Sequence, residues 1–320
     1  MKFLRGKKMD IEKIPKIDLH CHLDGSLALE MIQRHTDKKV TLEMLSVNEN
    51  CKSLTEYLDK FALPLECLQD KEGLKDGAYT FLKEVAKENI QYIEVRFAPM
   101  FSAHECLSCE QVIESVLEGL EKGKRECGVR YNVITCAMRN HSLEQNLKML
   151  YSAREYKGNG VCAIDLAGDE SAFPTKQFQE LFFEARKLDM PFVIHSGETG
   201  NLENVKLAYE LGASRIGHGI ALIKDKKLMS MYAKKKIGVE MCPTSNLHTK
   251  AIHAWTEFPM IEYLNAGIKV SINTDNRTVS NTTLTKELML IKEMYKDDTI
   301  IELLLKNAEE TAFEKNLNIY

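Results

Sequence analysis

No run of about 18 apolar residues, the length a helix needs to cross a bilayer, occurs anywhere in the 320 residues, so no membrane crossing is expected. The basic opening stretch, Met1–Lys8, is not followed by an apolar segment of signal-peptide length, and no export is expected either. The nine cysteines are odd in number and scattered apart from Cys106 and Cys109, which argues against a secreted disulfide framework and for a reducing cytoplasm. No second Cys-x-x-Cys or nearby His-x-x-x-His completes a zinc tetrahedron with that pair, which leaves two unlinked thiols. Lysine and arginine form no basic stripe and the net charge is only -4, so nucleic acid is not an expected partner. No linker, low-complexity tract or internal repeat divides the chain, and residues 1–320 read as a single domain.

Several catalytic signatures are missing too. There is no Gly-x-Ser-x-Gly elbow, and no His-Glu-x-x-His, because His104-Glu105 runs on into Cys-Leu-Ser. The His-x-Glu and Pro-Cys-x-x-Cys signature of cytidine-type deaminases is also lacking.

What is present is an ordinary globular composition, 44% hydrophobic and 28% charged, which supports a sizeable core. Short apolar or β-branched runs alternate with longer amphipathic stretches, the mark of repeated βα units around a parallel sheet. Eight such runs are predicted as strands: 16–22, 90–98, 129–138, 161–167, 192–195, 215–218, 238–242 and 268–274. Helices are predicted over 111–124, 143–155, 175–187, 201–209 and 225–235. Eight strand-helix units predict an α/β fold, a (β/α)8 TIM barrel. An extra helical region, 53–87, reads as an insertion after the first strand and over one mouth of the barrel. The chain after Asn281 reads as two closing helices, with Asp297 and Asp298 marking an N-cap between them.

Polar residues gather at the C-terminal ends of the predicted strands, where such barrels keep their active sites. His20 and His22 end the first, His195 the fifth and His218 the sixth, and Asp275 follows the eighth. Residues two apart on a strand share a face, so the His-x-His pair can hold one ion while Cys21 points away. Three imidazoles and a carboxylate suit zinc, and iron or cobalt would accept the same set. Glu198, three residues past His195, can face the same bowl as a general acid or base rather than a ligand. His218 lies between Gly217 and Gly219, which leave backbone room for a ligand's close approach.

These motifs resemble those of the adenosine deaminases of the amidohydrolase superfamily. The resemblance rests on Pro-Lys-Ile-Asp-Leu-His-Cys-His-Leu-Asp-Gly (15–25), Glu-Val-Arg-Phe-Ala-Pro (94–99), Asp-Leu-Ala-Gly-Asp-Glu (165–170), His-Ser-Gly-Glu (195–198), Gly-His-Gly (217–219), Cys-Pro-Thr-Ser-Asn (242–246) and Asn-Thr-Asp (273–275). It implies one zinc ion held by His20, His22, His195 and Asp275, with catalytic roles for Glu198, His218 and Asp275. Glu198 would protonate purine N1, and His218 and Asp275 would orient and deprotonate the attacking water. The backbone N–H of Gly168 would donate to purine N3, and Asp24, with His22 beside it, would face the ribose. The absence of a bridging lysine at the end of the fourth strand, a feature of related two-metal barrels, fits a single-metal site. The implied activity is hydrolytic deamination of adenosine, and of 2'-deoxyadenosine, to inosine and ammonia in purine salvage. The implied partner is therefore a small purine nucleoside, with the oligomeric state open.

Resemblance also assigns Leu54, Leu58, Phe61 and Leu65 to an apolar gate, although the same stripe would serve plain core packing. Two departures stand out. The family's second aspartate after the metal aspartate is Asn276 here, at the position implied to contact purine N7, and His-Ala-Gly-Glu is His-Ser-Gly-Glu. Within enzymes the rival substrates are adenine, a 5'-modified adenosine or another 6-aminopurine nucleoside. Outside them, the rival is a silent barrel that binds nucleosides or a protein partner and keeps its metal for structure. Glu198 and His218 argue against that last reading, since a structural metal needs neither a proton donor nor an open water position.

Overall fold

A computed structural model describes residues 9–48 and 50–320; the basic stretch Met1–Lys8 lies outside the described residues. Among them are eight parallel strands: β1 (Lys16–His22), β2 (Ile90–Phe97), β3 (Arg130–Met138), β4 (Val161–Ala167), β5 (Val193–Ser196), β6 (Arg215–His218), β7 (Gly238–Met241) and β8 (Lys269–Ile272). They pair in sequence order as two four-stranded arcs, β1–β4 and β5–β8. Single parallel bridges join the arcs, Ile164 with Phe192 and Cys21 with Asp275, and so close the expected TIM barrel. The second seam matters most. His22 N donates to Asp275 O at 2.6 Å and Asp275 N donates to His20 O at 2.8 Å, so barrel closure itself sets the two histidines beside the aspartate.

The apolar core lies between the strands and the helical ring, where residues such as Ile93, Val116, Ile164, Phe182, Ile216 and Leu288 are fully or almost fully buried. The barrel interior is different. Such barrels are usually filled by Val, Ile and Leu, but here Glu94, Arg96, Asp165, Arg215 and Glu240 are buried and bonded to one another. Arg215 bridges Glu94 and Glu240, and Arg96 bridges Glu240 and Asp165 at 2.8 Å each. Buried charges persist only when paired. At the lower end, Phe313 N donates to Glu94 Oε1 at 2.6 Å and Arg215 Nη1 donates to Thr311 O at 2.7 Å, tying in the C-terminal segment.

Local chemistry explains the helix boundaries. The helix Cys109–Cys127 begins two residues before the predicted start because Ser108 and Gln111 form a capping box there, and it stops at Gly128, whose φ of 77° suits the left-handed cap. Cys109 is buried, Cys106 is exposed and neither is in a disulfide, as expected. The helix Asp298–Thr311 is capped by Asp297, which accepts from Thr299 N at 2.9 Å. No helix among the described residues is long and apolar enough to cross a membrane.

The predicted insertion needs redrawing. Residues 53–87 split at Asp70, which caps the helix Lys71–Ala86 by accepting from Gly73 N at 2.8 Å. That helix packs along Cys109–Cys127 as the ordinary crossover between β1 and β2. The added material is instead the preceding chain, with short helices Leu29–Arg34, Leu42–Leu45, Leu54–Leu58 and Ala62–Glu66. Its last two helices line the cavity at the mouth.

Candidate active site

The cavity, about 490 Å³, falls within the ~300–1,000 Å³ typical of small-molecule sites and opens at the C-terminal ends of the strands. His22, Asp24, Gly168, His195, Glu198, His218, Asp275 and Asn276 all line it, and His20 lies beneath them. Leu54, Leu58, Phe61 and Leu65 line it as well, half-buried, so the stripe covers the cavity rather than merely filling the core.

His20, His22, His195 and Asp275 converge, with one ligand atom from each lying within 4.8 Å of all the others. His22 Nε2 is 3.1 Å from His195 Nε2, and His20 Nε2 and His22 Nε2 are each 3.4 Å from Asp275 Oδ1. Ligands at bonds of about 2.0–2.1 Å and tetrahedral angles stand roughly 3.3 Å apart, so the donor spacing fits zinc. His20 Nε2 is buried without a hydrogen-bond partner, as a nitrogen reserved for an ion would be. The opposite ring nitrogens are held by carboxylates, His20 Nδ1 by Glu240 and His195 Nδ1 by Asp165, both at 2.8 Å. Such outer contacts fix the ring orientation and leave Nε2 facing the ligand position.

The electrostatics agree with that reading. Burial holds the His22 and His195 imidazoles below the ordinary histidine value, favouring the neutral ring a metal requires. For His20, burial and the Arg96 charge act downward, but the Asp275 and Glu240 carboxylates carry it above that value, and a cation held at the site would take the place of that proton. Burial opposes ionisation of Asp275, yet its bonds and proximity to the histidines hold its carboxyl far below the usual range.

Glu198 behaves in the opposite way. Burial and the Asp275 charge push its carboxyl up to about 7, so it can hold a proton near neutral pH. Its Oε1 accepts from Thr249 Oγ1 at 2.9 Å and its Oε2 lies 3.7 Å from His218 Nε2. His218, buried and pushed down to about 4 by desolvation, is neutral over the physiological range. Its Nδ1 meets the Asn246 side-chain amide at 2.8 Å.

The backbone at these positions is unusual. His218 and Asp275 both have positive φ, 60° and 58°, a conformation uncommon outside glycine but one that histidine and aspartate adopt more readily than most. The room at Gly217 is used differently from the expectation: a Cβ there would stand 2.8 Å from His20 Cε1, so the glycine seats a ligand ring rather than a substrate. Gly168 has φ of 103°, which a larger residue would strain to adopt. Asp24 is buried and pushed up to about 6 by desolvation, and its Oδ1, 3.9 Å from His22 Nδ1, has no hydrogen-bond partner. Asn276 Oδ1 is likewise buried and unpartnered, and a Cβ on Gly25 would come within 1.9 Å of it.

Sequence reasoning missed the carboxylates that orient the ligands, Asp165 and Glu240, together with Arg96. The usable signal was a charged residue inside an otherwise apolar strand, which must find a buried partner. It also missed Ser245, Asn246 and Thr249 as contacts of Asp275, His218 and Glu198.

A closed parallel barrel, with a cluster of three imidazoles and a carboxylate that could hold a metal ion and a buried acid at its C-terminal mouth, fits a metal-dependent hydrolase of the amidohydrolase type. Residues 15–317 match the family described as adenosine deaminase, and the chain belongs to that family. It is 42% identical over 318 residues to an adenosine deaminase of Clostridium botulinum (strain Okra / Type B1), an alignment covering 95% of each chain. Among solved structures it resembles a zinc-bound amidohydrolase from Burkholderia ambifaria, with a TM-score of 0.86 at 19% identity over 99% of this chain and 92% of that one. It also resembles an adenine deaminase from Arthrobacter aurescens, with a TM-score of 0.85 at 20% identity over 96% of both chains.

Proposed function

We propose that this protein, acting as a single domain in the cytoplasm, hydrolyses adenosine and 2'-deoxyadenosine to inosine or deoxyinosine and ammonia, in purine salvage. The observation that carries the reading is a protonatable carboxyl, Glu198, set beside a cluster of three imidazoles and a carboxylate. His20, His22, His195 and Asp275 would hold one zinc ion. Bound there, zinc supplies Lewis-acid chemistry that lowers the pKa of a water toward neutrality. Glu198 donates its proton to purine N1, which makes C6 electrophilic. His218 and Asp275 orient the water and take its proton, a C6–O bond forms, and that proton passes to the C6 amine; the C6–N bond then breaks to release ammonia, and the C6 hydroxyl gives up its proton to Glu198 as the carbonyl forms. The Gly168 N–H donates to N3. The cover formed by Leu54, Leu58, Phe61 and Leu65 excludes bulk water.

The test is direct. Zinc-loaded protein incubated with adenosine should show the ultraviolet shift of inosine formation together with stoichiometric ammonia, and the absence of both changes would overturn the reading. Running adenine and 5'-modified adenosines in parallel assigns the substrate.

Asp24 supports a nucleoside over a free base, because a buried carboxylate oxygen without a partner is ready to accept from a ribose hydroxyl. Asp24→Ala is therefore expected to reduce kcat/KM for adenosine by roughly tenfold or more, the worth of such a bond, and to leave adenine nearly unaffected. Equal losses on both substrates would make Asp24 structural.

Asn276 would donate to purine N7. N7 only accepts, and an asparagine amide always carries donors, whereas aspartate donates only when protonated. Replacing N7 by carbon in 7-deazaadenosine would leave that amide unpaired at a cost of about 1–3 kcal/mol. Because the replacement also alters the ring, kcat/KM for both substrates must be compared in wild type and Asn276→Ala. Discrimination is expected to shrink in the variant, and unchanged discrimination would remove the N7 contact.

A further inference from the structure

The Cys-Pro-Thr-Ser-Asn segment has no task in the mechanism above. It leaves β7 and turns at once into the short helix Pro243–His248, with Thr249 at its C-cap. The helix is anchored at its start by Thr244 N, which donates to Glu287 Oε2 at 3.1 Å, and at its end by Thr249 N, which donates to Ser245 O at 2.8 Å. Residue 249 lies four past 245 and three past 246, so Thr249 neighbours each of them on the helix surface. Each reaches a different group. Ser245 Oγ donates to Asp275 Oδ2 at 2.5 Å, the Asn246 amide meets His218 Nδ1 at 2.8 Å, and Thr249 Oγ1 donates to Glu198 Oε1 at 2.9 Å.

Those three recipients follow or end β8, β6 and β5, so one short segment reaches three strand ends at once. All six residues are buried. A glutamate's last torsion is broad, so a carboxyl left alone would swing between orientations. The Thr249 hydroxyl removes that freedom. By donating to Oε1 it makes Oε1 the accepting oxygen, and the acid's own proton must then reside on Oε2, the oxygen nearer His218. Asn246 acts similarly on His218. The amide nitrogen, Nδ2, is the end that faces Nδ1, while Asn246 Oδ1 is buried without a partner; turning the amide over brings that oxygen to Nδ1, puts the ring proton there and leaves the Nε2 lone pair directed at the site.

We propose that Ser245, Asn246 and Thr249 are positioning residues, so that one short helix after β7 aims all three groups that handle the water and its protons, with Thr249 selecting the oxygen from which Glu198 donates. This rests on the deaminase reading above. The test combines Thr249→Val, Thr249→Ser, Glu198→Gln and the Val/Gln double variant, each with measured zinc content, kcat and KM. Thr249→Val, which keeps the shape and removes the hydroxyl, is expected to lower kcat about tenfold with KM within about twofold and zinc retained. Thr249→Ser should restore most of the loss. In the Glu198→Gln background, where no proton remains to be placed, Thr249→Val should cost less than about twofold further. Equal losses in both backgrounds, or an unchanged kcat in Thr249→Val, overturn the inference while leaving the deaminase reading intact. Near-normal turnover of Glu198→Gln instead overturns the proton-donor assignment and this inference with it.

Discussion

Glu198→Gln should retain its metal and its fold and lose at least ~10²-fold in turnover, the usual worth of a positioned general acid. Glutamine matches glutamate in size, can still accept from Thr249 and is not required as a ligand, so the change removes little except the transferable proton. The pH profile gives a second readout. Burial and the Asp275 charge raise the carboxyl above the ordinary glutamate range. The acid form is therefore complete well below the raised value and is lost as pH climbs through it. Turnover of the wild type should fall on the alkaline side for this reason, and Glu198→Gln should lack that limb of its profile. A variant that turned over adenosine at a near-normal rate would take Glu198 out of the mechanism.

His195→Ala and His20→Ala should fail differently, losing metal and activity together. Each removes one of four converging donors and leaves an incomplete set. The carboxylates behind the rings supply a graded comparison. Asp165→Asn and Glu240→Gln keep all four converging donors and weaken the contacts behind His195 and His20, together with the buried ion pairs to Arg96 and Arg215; loss of the contacts behind the rings ordinarily weakens metal binding by about 10–100-fold. Metal analysis after dialysis should rank the variants accordingly, with the histidine variants empty and the carboxylate variants partly loaded. Stoichiometric zinc with normal turnover in His195→Ala would refute the ligand assignment.

The barrel was legible in the sequence because alternation of apolar strands and amphipathic helices is a local signal, repeated eight times, and each repeat reinforces the others. Strand ends were less legible. β8 stops at Ile272 rather than Thr274: Asn273 N still donates to Met241 O at 2.9 Å, and its side chain bonds Leu19 N, Met241 O and Ser271 where the strand ends. The insertion was misdrawn because the helix Lys71–Ala86 looks much like its neighbours along the chain, and only its packing against Cys109–Cys127 marks it as the crossover. The convergence of His20, His22, His195 and Asp275 could be read because a strand's two-residue period makes His20 and His22 one unit and barrel topology brings strand ends together. Thr249 could not, since nothing in the sequence says that a threonine after β7 faces a glutamate after β5.

The chain of buried charges inside the barrel joins two regions that would otherwise be judged separately. From Phe313 through Glu94, Arg215, Glu240 and Arg96 to Asp165, each link is a hydrogen bond or ion pair, and the last links hold His20 and His195. The floor of the barrel is thus mechanically continuous with its mouth. A mutational survey scored only by turnover would flag Arg215 and the C-terminal segment alongside the histidines, although neither comes near a nucleoside. Tolerance to change in this protein should therefore follow connection to that chain more closely than distance from the cavity.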